Sequence, residues 1–340
     1  MRPFTFVRPA EAGEAVRAVA GDPGAVFLAG GTNLVDHLRL GVARPSALVD
    51  VRTLTSQEIT DTGEGGLRIG AAVTNSELAA DRRVRERYPV LAQALLSGAS
   101  GQLRNMATSG GNPLQRTRCA YFQDVTTPCN KREPGSGCSA VDGYTRYHAV
   151  LGVPESPDAS GRDTCIATHP SDMAVALAAL DARVQLRTQD GDREMAFAEL
   201  HRLPGDDPSR DTTLRHGELI TAIDLPPLHP GARSAYRKVR DRASYAFALV
   251  SVAAVLRVAD GRVAEVRLAL GGMAHKPWRA TRAEESLLGQ RADQSRFRAA
   301  AEAELAVARP QAGLDGGNGF KIPLAARTIA AVLRRLAGDD

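Results

Sequence analysis

Short apolar runs alternate with amphipathic stretches through residues 9–52. The stretches AEAGEAVRAVA and NLVDHLRLG have the mixed apolar and polar spacing of helices, and AVFLA and SALVDV are the continuous apolar runs of short buried strands. A glycine pair, Gly30-Gly31, separates the first strand from the second helix. The pattern therefore predicts a small unit in which helices and strands alternate.

The next block changes to hairpins and capped helices. EIT and LRIGAAV flank a glycine-rich turn, which predicts a hairpin. Thr74 and Glu77 have the spacing of a capping box and predict a helix start, and VRERYPVLAQALLSGAS predicts a further amphipathic helix that ends near Gly98. Ser171 and Asp172 precede MAVALAALDA, as a polar cap precedes a helix.

A second hairpin, RVQLRTQDGDREMAF, and a strand, ELITAIDL, lead to the Pro- and Gly-rich stretch PPLHPGARS. We place a domain boundary there, at about 226–232. The last third predicts strands in SAYRKVR, FALVSVAAVLRV and RVAEVRLALGG, followed by helices around 281–288, 294–308 and 322–337. Hairpins mixed with helices predict the α+β class.

The segment between Asn112 and Ser171 has no such pattern. Its 58 residues are rich in Gly, Pro, Asp, Arg and Thr. Ordering a backbone costs roughly 1–2 kcal/mol per residue, and this segment offers little apolar area in return. Contacts other than a hydrophobic core must therefore hold it. All four cysteines of the chain lie in it: Cys119, Cys129, Cys138 and Cys165.

The cysteine spacing is C-x9-C-x8-C-x26-C. Structural zinc sites bring ligands in close C-x2–4-C pairs, which are missing here. Two disulfides in an oxidising compartment are an open alternative, as is an iron–sulfur cluster, whose thiolates a loop supplies from uneven spacings. His148 and His169 are possible replacement ligands, although the pattern favours polar loop residues at both positions.

Two glycine turns suggest close approach to a ligand. Gly30, Gly31, Thr32 and Asn33 place free backbone N–H groups at a helix start, where phosphate is favoured. The small residues of ATSGGN, from Ala107, cannot fill a core and allow the backbone to approach a ligand or another segment. Ordinary glycine turns fit each pattern equally well.

Composition excludes some classes of function. The 43 basic and 39 acidic residues are scattered, without a basic run or interleaved aromatic residues, which argues against a nucleic-acid partner. No apolar run approaches the ~20 residues of a membrane span, so we expect no membrane insertion. MRPFTFVRPAEAGEAV lacks the apolar core of an export signal, so we expect the chain to carry none of its own.

Several ordered motifs resemble the flavin-binding subunits of the molybdenum hydroxylases, a family that includes xanthine dehydrogenase and carbon monoxide dehydrogenase. They are FLAGGTNLVDHLRLG, LRIGAAVTNSELA, LRNMATSGGN, SDMAVALAALDA, YRKVRDRASYAFALVSVA and LALGGMAHKPWRA. The segments QRTRCAYFQD, PCNKR, GSGC and CIATHPSD resemble the flavin subunit of bacterial periplasmic aldehyde oxidoreductases, in which four cysteines hold a [4Fe–4S] cluster. SPDASGRDT lengthens the last spacing relative to that pattern.

The resemblance implies a two-subdomain FAD-binding module of the vanillyl-alcohol-oxidase (PCMH) type, over residues 1–226. Its subdomains would span about 1–55 and 56–226, with the iron–sulfur insertion at about 113–170. A small α/β C-terminal domain of the carbon monoxide dehydrogenase flavoprotein type would follow at 232–338.

The same resemblance implies the site residues. The pyrophosphate would lie on backbone N–H groups of Ala29 to Leu34 and on the second turn, Asp172 would meet polar atoms of FAD, and Lys238 would lie near the isoalloxazine, with a solvated strand lysine as the alternative. The implied FAD-binding residues are Val26, Phe27, Leu28, Ala29, Gly30, Gly31, Thr32, Asn33, Leu34, Thr108, Gly111, Asn112, Asp172 and Lys238. The implied cluster ligands are Cys119, Cys129, Cys138 and Cys165.

The resemblance also implies a role in a complex. An aldehyde would react at a molybdenum cofactor in a large partner subunit, a small partner would carry [2Fe–2S] centres, and FAD in this chain would deliver the electrons to an external acceptor. A flavin subunit of 4-hydroxybenzoyl-CoA reductase or xanthine dehydrogenase is the alternative within the family, and a disulfide- or zinc-stapled binding module is the alternative outside it. Co-export with the small subunit would place the complex in the periplasm, and otherwise it would be cytoplasmic.

Overall fold

The computed structural model of the chain describes residues 2–153 and 164–338. The strands of these residues form a three-stranded, a five-stranded and a four-stranded sheet, with helices packed between and around them. The α+β class predicted from the sequence is confirmed. Within the described ranges, no helix is both long and apolar enough to cross a membrane.

The N-terminal unit is a parallel sheet in the order β1-β3-β2. Its elements are β1 (Thr5–Val7), α1 (Ala12–Ala20), β2 (Ala25–Leu28), α2 (Leu34–Leu40) and β3 (Ala47–Asp50). Helix α1 buries Ala15, Val16 and Val19 against the sheet, which is the one-sided apolar face that its sequence pattern predicts. The sequence pattern did not predict β1, because a three-residue strand is too short to show alternation.

The middle unit contains the five-stranded antiparallel sheet, in the order β4-β5-β8-β6-β7. Both predicted hairpins are present, and helix α8 is buried along its whole length. The elements are β4 (Ile59–Asp61), β5 (Leu67–Gly70), α3 (Asn75–Ala80), α4 (Arg82–Arg87), α5 (Pro89–Ser97), α6 (Gly101–Arg104), a 3-10 turn (Asn112–Leu114), α7 (Ala120–Gln123), α8 (Asp172–Ala179), β6 (Arg183–Thr188), β7 (Gly191–Ala196), α9 (Phe197–Leu200) and β8 (Leu219–Leu225).

Local sequence signals set two of the helix starts. The capping box is confirmed, since the Thr74 side chain accepts from the Glu77 backbone and the Glu77 carboxylate accepts from the Thr74 backbone. The single helix predicted over VRERYPVLAQALLS is wrong: the chain forms α4 and α5, with a break at Tyr88. Pro89 causes the break because the residue before a proline is disfavoured in the helical region, and Pro89 then occupies the first turn of α5.

The C-terminal unit is an antiparallel sheet in the order β12-β11-β10-β9, with the three predicted helices after it. Helix α12 packs on one face of this sheet, whereas α5 and α8 pack on the other face. The elements are β9 (Arg233–Val239), β10 (Val250–Ala259), β11 (Arg262–Gly271), β12 (Trp278–Arg279), α10 (Thr281–Leu287), α11 (Gln294–Leu305) and α12 (Lys321–Ala337).

The cysteine segment, residues 113–153 and 164–170, joins the middle and C-terminal units. Val150 and Leu151 are fully buried in the apolar core of the C-terminal unit, and both of their N–H groups donate to the Met273 carbonyl at 2.9 Å. The predicted insertion is therefore shared between two units. The expected lengthening at residues 156–164 lies outside the described residues except for Thr164.

Candidate functional site: two glycine turns and a cysteine pocket

The first glycine turn, residues 29–34, connects β2 to α2. Val26, Phe27 and Leu28 pair with β3, so the turn leaves the carboxyl edge of the parallel sheet. A Cβ atom built on Gly30 would lie 1.9 Å from the Met106 carbonyl oxygen, so only glycine fits at this position. The sheet thus fixes the turn on one side, and the backbone near Met106 fixes it on the other.

The first turn offers unpaired donors. None of the backbone N–H groups from Gly30 to Leu34 donates a hydrogen bond to another described residue, and Gly30, Gly31, Thr32, Asn33 and Leu34 are all partly exposed. Consecutive free N–H groups at the end of a parallel strand form a concave surface that suits an anion. This geometry fits the pyrophosphate that the sequence predicts there.

The second glycine turn, residues 107–112, packs against the residues that follow β5 and against the first turn. Ser109 N donates to the Val73 carbonyl at 2.8 Å, and Gly110 N donates to the Ala71 carbonyl at 2.9 Å. A Cβ atom built on Gly111 would lie 3.7 Å from the Ala29 side chain. The two turns, which are far apart in the sequence, therefore meet. Together we call them the flavin cradle, after the cofactor that the resemblance predicts there.

Polar side chains connect the flavin cradle to its surroundings. Asn33 Oδ1 accepts from the Arg116 backbone N–H at 2.8 Å, and Ser171 Oγ donates to Asn112 Oδ1 at 2.6 Å. Ser171 also caps helix α8 through the Ala174 N–H. The start of α8 is thus held directly against the second turn.

Asp172 and Lys238 form a buried ion pair beside the flavin cradle. Lys238 Nζ lies 2.7 Å from Asp172 Oδ2 and 3.2 Å from the Ser97 carbonyl, and only 4% and 8% of the Lys238 and Asp172 side chains are exposed. The interpretation of Lys238 as a solvated strand lysine is wrong. The roles of both residues in binding FAD stay predictions. In this structure, each residue forms its ion pair with the other.

Tyr236 is a site residue that sequence reasoning missed. Its hydroxyl donates to Asp172 Oδ1. Burial, the charge of Asp172 and this hydrogen bond raise the pKa of Tyr236 well above its ordinary value, so the phenol stays protonated. Tyr236 and Lys238 are two residues apart on β9 and share one face of the strand, so strand periodicity offered a signal for it.

The four cysteines line one small cavity, which we call the cysteine pocket. All four are free thiols, and Cys129 and Cys138 oppose each other across an antiparallel bridge. Burial raises the pKa of Cys119 to about 11 and the pKa of Cys165 to about 12. Uncharged thiols are therefore expected without a metal, and a positive metal centre would favour thiolates.

The geometry bears on the alternatives for the cysteines. No disulfide is present among them. Within residues 2–153 and 164–338, no group of three or more His, Cys, Asp and Glu side chains is arranged to hold a single metal ion. A four-iron cubane spreads its ligand sulfurs more widely than one tetrahedral zinc ion, whose Zn–S bonds are ~2.3 Å. The four free thiols that line one pocket match the donor set of a cluster, and the described residues form no site for a single zinc ion.

Two histidines of the cysteine segment are buried. His148 and His169 lie in loops, as the sequence favours, and 5% and 8% of their surface is exposed. His148 Nε2 lies 3.2 Å from Cys119 Sγ, and burial lowers the pKa of His148 to about 4. The His169 ring packs against His201, with 4.4 Å between centroids.

Comparisons with known proteins agree over the whole chain. The family described as FAD binding domain in molybdopterin dehydrogenase matches residues 2–228, and the CO dehydrogenase flavoprotein C-terminal domain matches residues 234–336. The chain is 51% identical over 334 residues to the aldehyde oxidoreductase FAD-binding subunit PaoB of Escherichia coli, covering 98% of each chain. It is 27% identical to the carbon monoxide dehydrogenase medium chain of Hydrogenophaga pseudoflava, covering 97% of this chain and 96% of that one.

Solved structures share the fold. Quinoline 2-oxidoreductase from Pseudomonas putida 86 superimposes with a TM-score of 0.73 at 24% identity, covering 99% of this chain and 98% of that one. Carbon monoxide dehydrogenase from Oligotropha carboxidovorans superimposes with a TM-score of 0.76 at 22% identity, covering 100% and 99%. With the two family matches, these results show that the chain belongs to the FAD-binding subunits of the molybdopterin dehydrogenases and is an oxidoreductase subunit.

Proposed function

We propose that this chain is the FAD and [4Fe–4S] electron-transfer subunit of a heterotrimeric, molybdenum-dependent aldehyde oxidoreductase. The observation that carries the choice of reaction is the 51% identity, over 98% of both chains, to a subunit named for aldehyde oxidation. The chain would work with a large subunit that holds the molybdenum cofactor and a small subunit that holds [2Fe–2S] centres. It would not contact the aldehyde itself.

The flavin cradle supports FAD binding by this chain. The free N–H groups from Gly30 to Leu34 and the second turn, with Thr108, Gly111 and Asn112, would hold the pyrophosphate. FAD, when bound, supplies the capacity to accept single electrons and to release two. Asp172 fixes the Lys238 ammonium group beside the cradle and offsets its charge, and Lys238 is the group that would favour a reduced, anionic flavin.

The cysteine pocket supports the cluster. Cys119, Cys129, Cys138 and Cys165 are free and line the same cavity, and the arrangement disfavours both disulfides and a single zinc ion. A bound cluster would also tie together the parts of the segment that carry the four thiols. The cluster would relay electrons, or it would brace the segment against a partner subunit.

Co-purification through a tag on this chain tests the complex. We expect two further subunits, molybdenum, FAD and more iron than the [2Fe–2S] centres require, together with flavin bleaching on addition of an aldehyde. Bleaching by a xanthine or a 4-hydroxybenzoyl-CoA compound instead would favour the alternatives within the family. A colourless, iron-free protein without partners would overturn the proposal.

Cysteine variants distinguish a cluster that relays electrons from one that only stabilises the segment against a partner subunit. Cys119→Ala and Cys138→Ser should each abolish the cluster, because each removes one of its four ligands. If the cluster relays electrons, flavin reduction by the aldehyde slows while the complex stays assembled. If reduction keeps its rate and only assembly weakens, the relay is excluded.

We also propose the compartment from the partner. The complex would reach the periplasm by co-export with a small subunit that carries an export signal. Without such a partner it would remain in the cytoplasm. Fractionation of cells that express this chain with and without the small subunit tests the proposal, and a periplasmic chain without the partner contradicts it.

A further inference from the structure

Lys131 places a fixed positive charge in the wall of the cysteine pocket. It follows Cys129 by two residues and lines the same cavity as all four thiols. Only 5% of its side chain is exposed, although a lysine usually keeps its ammonium group in water. A buried ammonium group on a residue that lines this cavity requires hydrogen-bond partners.

The ammonium group is held from two sides. Lys131 Nζ donates to Asp211 Oδ1 at 2.5 Å and to the Pro208 carbonyl at 2.8 Å. Asp211 Oδ2 in turn accepts from Arg116 Nε at 2.7 Å. Two cations thus share one carboxylate, which leaves one positive charge in excess, and the Lys131 side chain cannot swing away from the pocket without breaking both contacts.

Other basic groups around the pocket have different partners. The Arg132 guanidinium donates to the carbonyls of Tyr121, Phe122 and Thr127, and it therefore organises the loop around Cys129. Arg118 is stacked on the Phe247 ring. Lys131 differs from both because a carboxylate fixes its charge at the cavity wall.

We propose that Lys131 is a positioning residue that raises the reduction potential of the iron–sulfur cluster, and that Asp211 holds it in place and partly offsets its charge. This inference depends on the proposed function, since it requires the cluster. Reduction adds one electron to a centre that four thiolates already make anionic. A fixed cation nearby stabilises the reduced state more than the oxidised state, and so it raises the potential.

Two substitutions should move the potential in opposite directions. Lys131→Gln removes the cation, and we expect a more negative potential. Asp211→Asn removes the offsetting anion while two cations remain, and we expect a more positive one. Lys131→Arg retains the charge and should stay near wild type. Arg82→Gln removes an equal charge from an exposed position on α4, where 87% of the side chain is in solvent, and should leave the potential unchanged.

The experiment is a redox titration of the full-length tagged chain, purified with its partners and followed by low-temperature EPR of the cluster. Shifts of opposite sign in the two variants support the inference. No shift, or shifts of the same sign, in variants with wild-type iron content overturns it, because a purely structural role predicts no such reversal.

Iron analysis keeps the inference separate from the proposed function. If the wild-type chain contains no cluster iron, the proposed function fails first. If Lys131→Gln alone loses its iron, Asp211→Asn decides: a rise in the potential supports the inference and an unchanged potential overturns it.

Discussion

The flavin cradle and the cysteine pocket lie next to each other, but different kinds of contact hold them. In the cradle, glycines press against neighbouring backbone, as at Gly30 and the Met106 carbonyl, and a buried ion pair completes the wall. In the cysteine pocket, buried thiols face a small cavity, and side chains such as Arg132 hold the loop by donating to its carbonyls.

The two regions differ in how much their order would depend on a bound cofactor. Backbone fit fixes the cradle before any ligand arrives, so FAD binding would require little rearrangement. The cysteine segment gains less from packing, so its order would depend more on the group that its thiols bind. Four predictions test this contrast, starting with the largest effect.

Gly30→Ala should damage the cradle most. The new Cβ atom would lie 1.9 Å from the Met106 carbonyl oxygen, so backbone must move in one turn or the other. We expect loss of bound FAD and destabilisation on the order of 4 kcal/mol. Flavin content and thermal unfolding measure both. Gly63→Ala is the control, because a Cβ atom there meets no atom within 4 Å. Wild-type flavin content in Gly30→Ala would show that the cradle is not rigid.

Asp172→Ala should have the next largest effect. It leaves the Lys238 ammonium group, whose side chain is 4% exposed, without its carboxylate, and it removes the Asp172 acceptor of the Tyr236 hydroxyl. Breaking a buried pair in this way costs about 3 kcal/mol. Urea unfolding measures the loss. Asp61→Ala, which removes a 57% exposed carboxylate, should change stability little. Equal effects of the two substitutions would contradict the importance of burial.

Acid should weaken the ion pairs that Asp211 forms with Lys131 and Arg116 beside the cysteine pocket. Burial raises the pKa of this carboxyl, but Lys131 and Arg116 outweigh that effect and hold the pKa at about 2, below the ordinary 3.8. Because the folded-state pKa is the lower one, the stabilisation is complete above about 3.8 and is lost as the pH falls through about 2. It amounts to roughly 2 kcal/mol.

Urea unfolding of iron-free protein between about pH 5 and pH 2 tests this contribution. Asp211→Asn should be less stable at the upper pH and should lose less stability on acidification. Asp206→Asn, at a carboxylate that is 96% exposed, is the matched control and should follow wild type. An acid transition of Asp211→Asn that coincides with that of wild type would show that Asp211 does not cause the acid sensitivity.

Removing iron should loosen the cysteine segment and spare the cradle. After chelation, we expect trypsin to cut within residues 113–153 at least roughly tenfold faster, which corresponds to about 1.4 kcal/mol of local opening. The absorbance of bound flavin should persist over the same period. Unchanged cutting, or loss of flavin at the same rate as cutting, would show that the two regions are ordered as one unit.

Local signals in the sequence predicted most of the fold. The capping box at Thr74, the two hairpins and the closing helices depend on residues close together in the chain, and all of them are present. The break before Pro89 was also within reach, because proline restricts the residue before it. The prediction of one continuous helix followed the spacing of the apolar residues and did not take Pro89 into account.

Contacts between distant residues were beyond the same reasoning. Asp172 and Lys238 are 66 positions apart. The sequence motifs predicted each residue for the site separately, but they did not predict that the two form an ion pair. Lys131 and Asp211 are 80 positions apart, and no motif joins them. The burial of Val150 and Leu151 could not be predicted from the sequence pattern. Two apolar residues within a Gly- and Pro-rich segment are too few to show a helical or strand periodicity.

The burial of Val150 and Leu151 limits which parts of the cysteine segment can be deleted. Val150 and Leu151 fill part of the core beneath the C-terminal sheet, and the Lys321 ammonium group donates to the His148 carbonyl at 2.7 Å and to the Gly272 carbonyl at 2.6 Å. Excising residues 113–170 to make a subunit without cysteines would leave a hole in that core and remove one of the two acceptors of a buried ammonium group. The segment therefore stabilises the C-terminal unit in addition to holding the four cysteines. Any shorter version must supply other apolar side chains to fill the core.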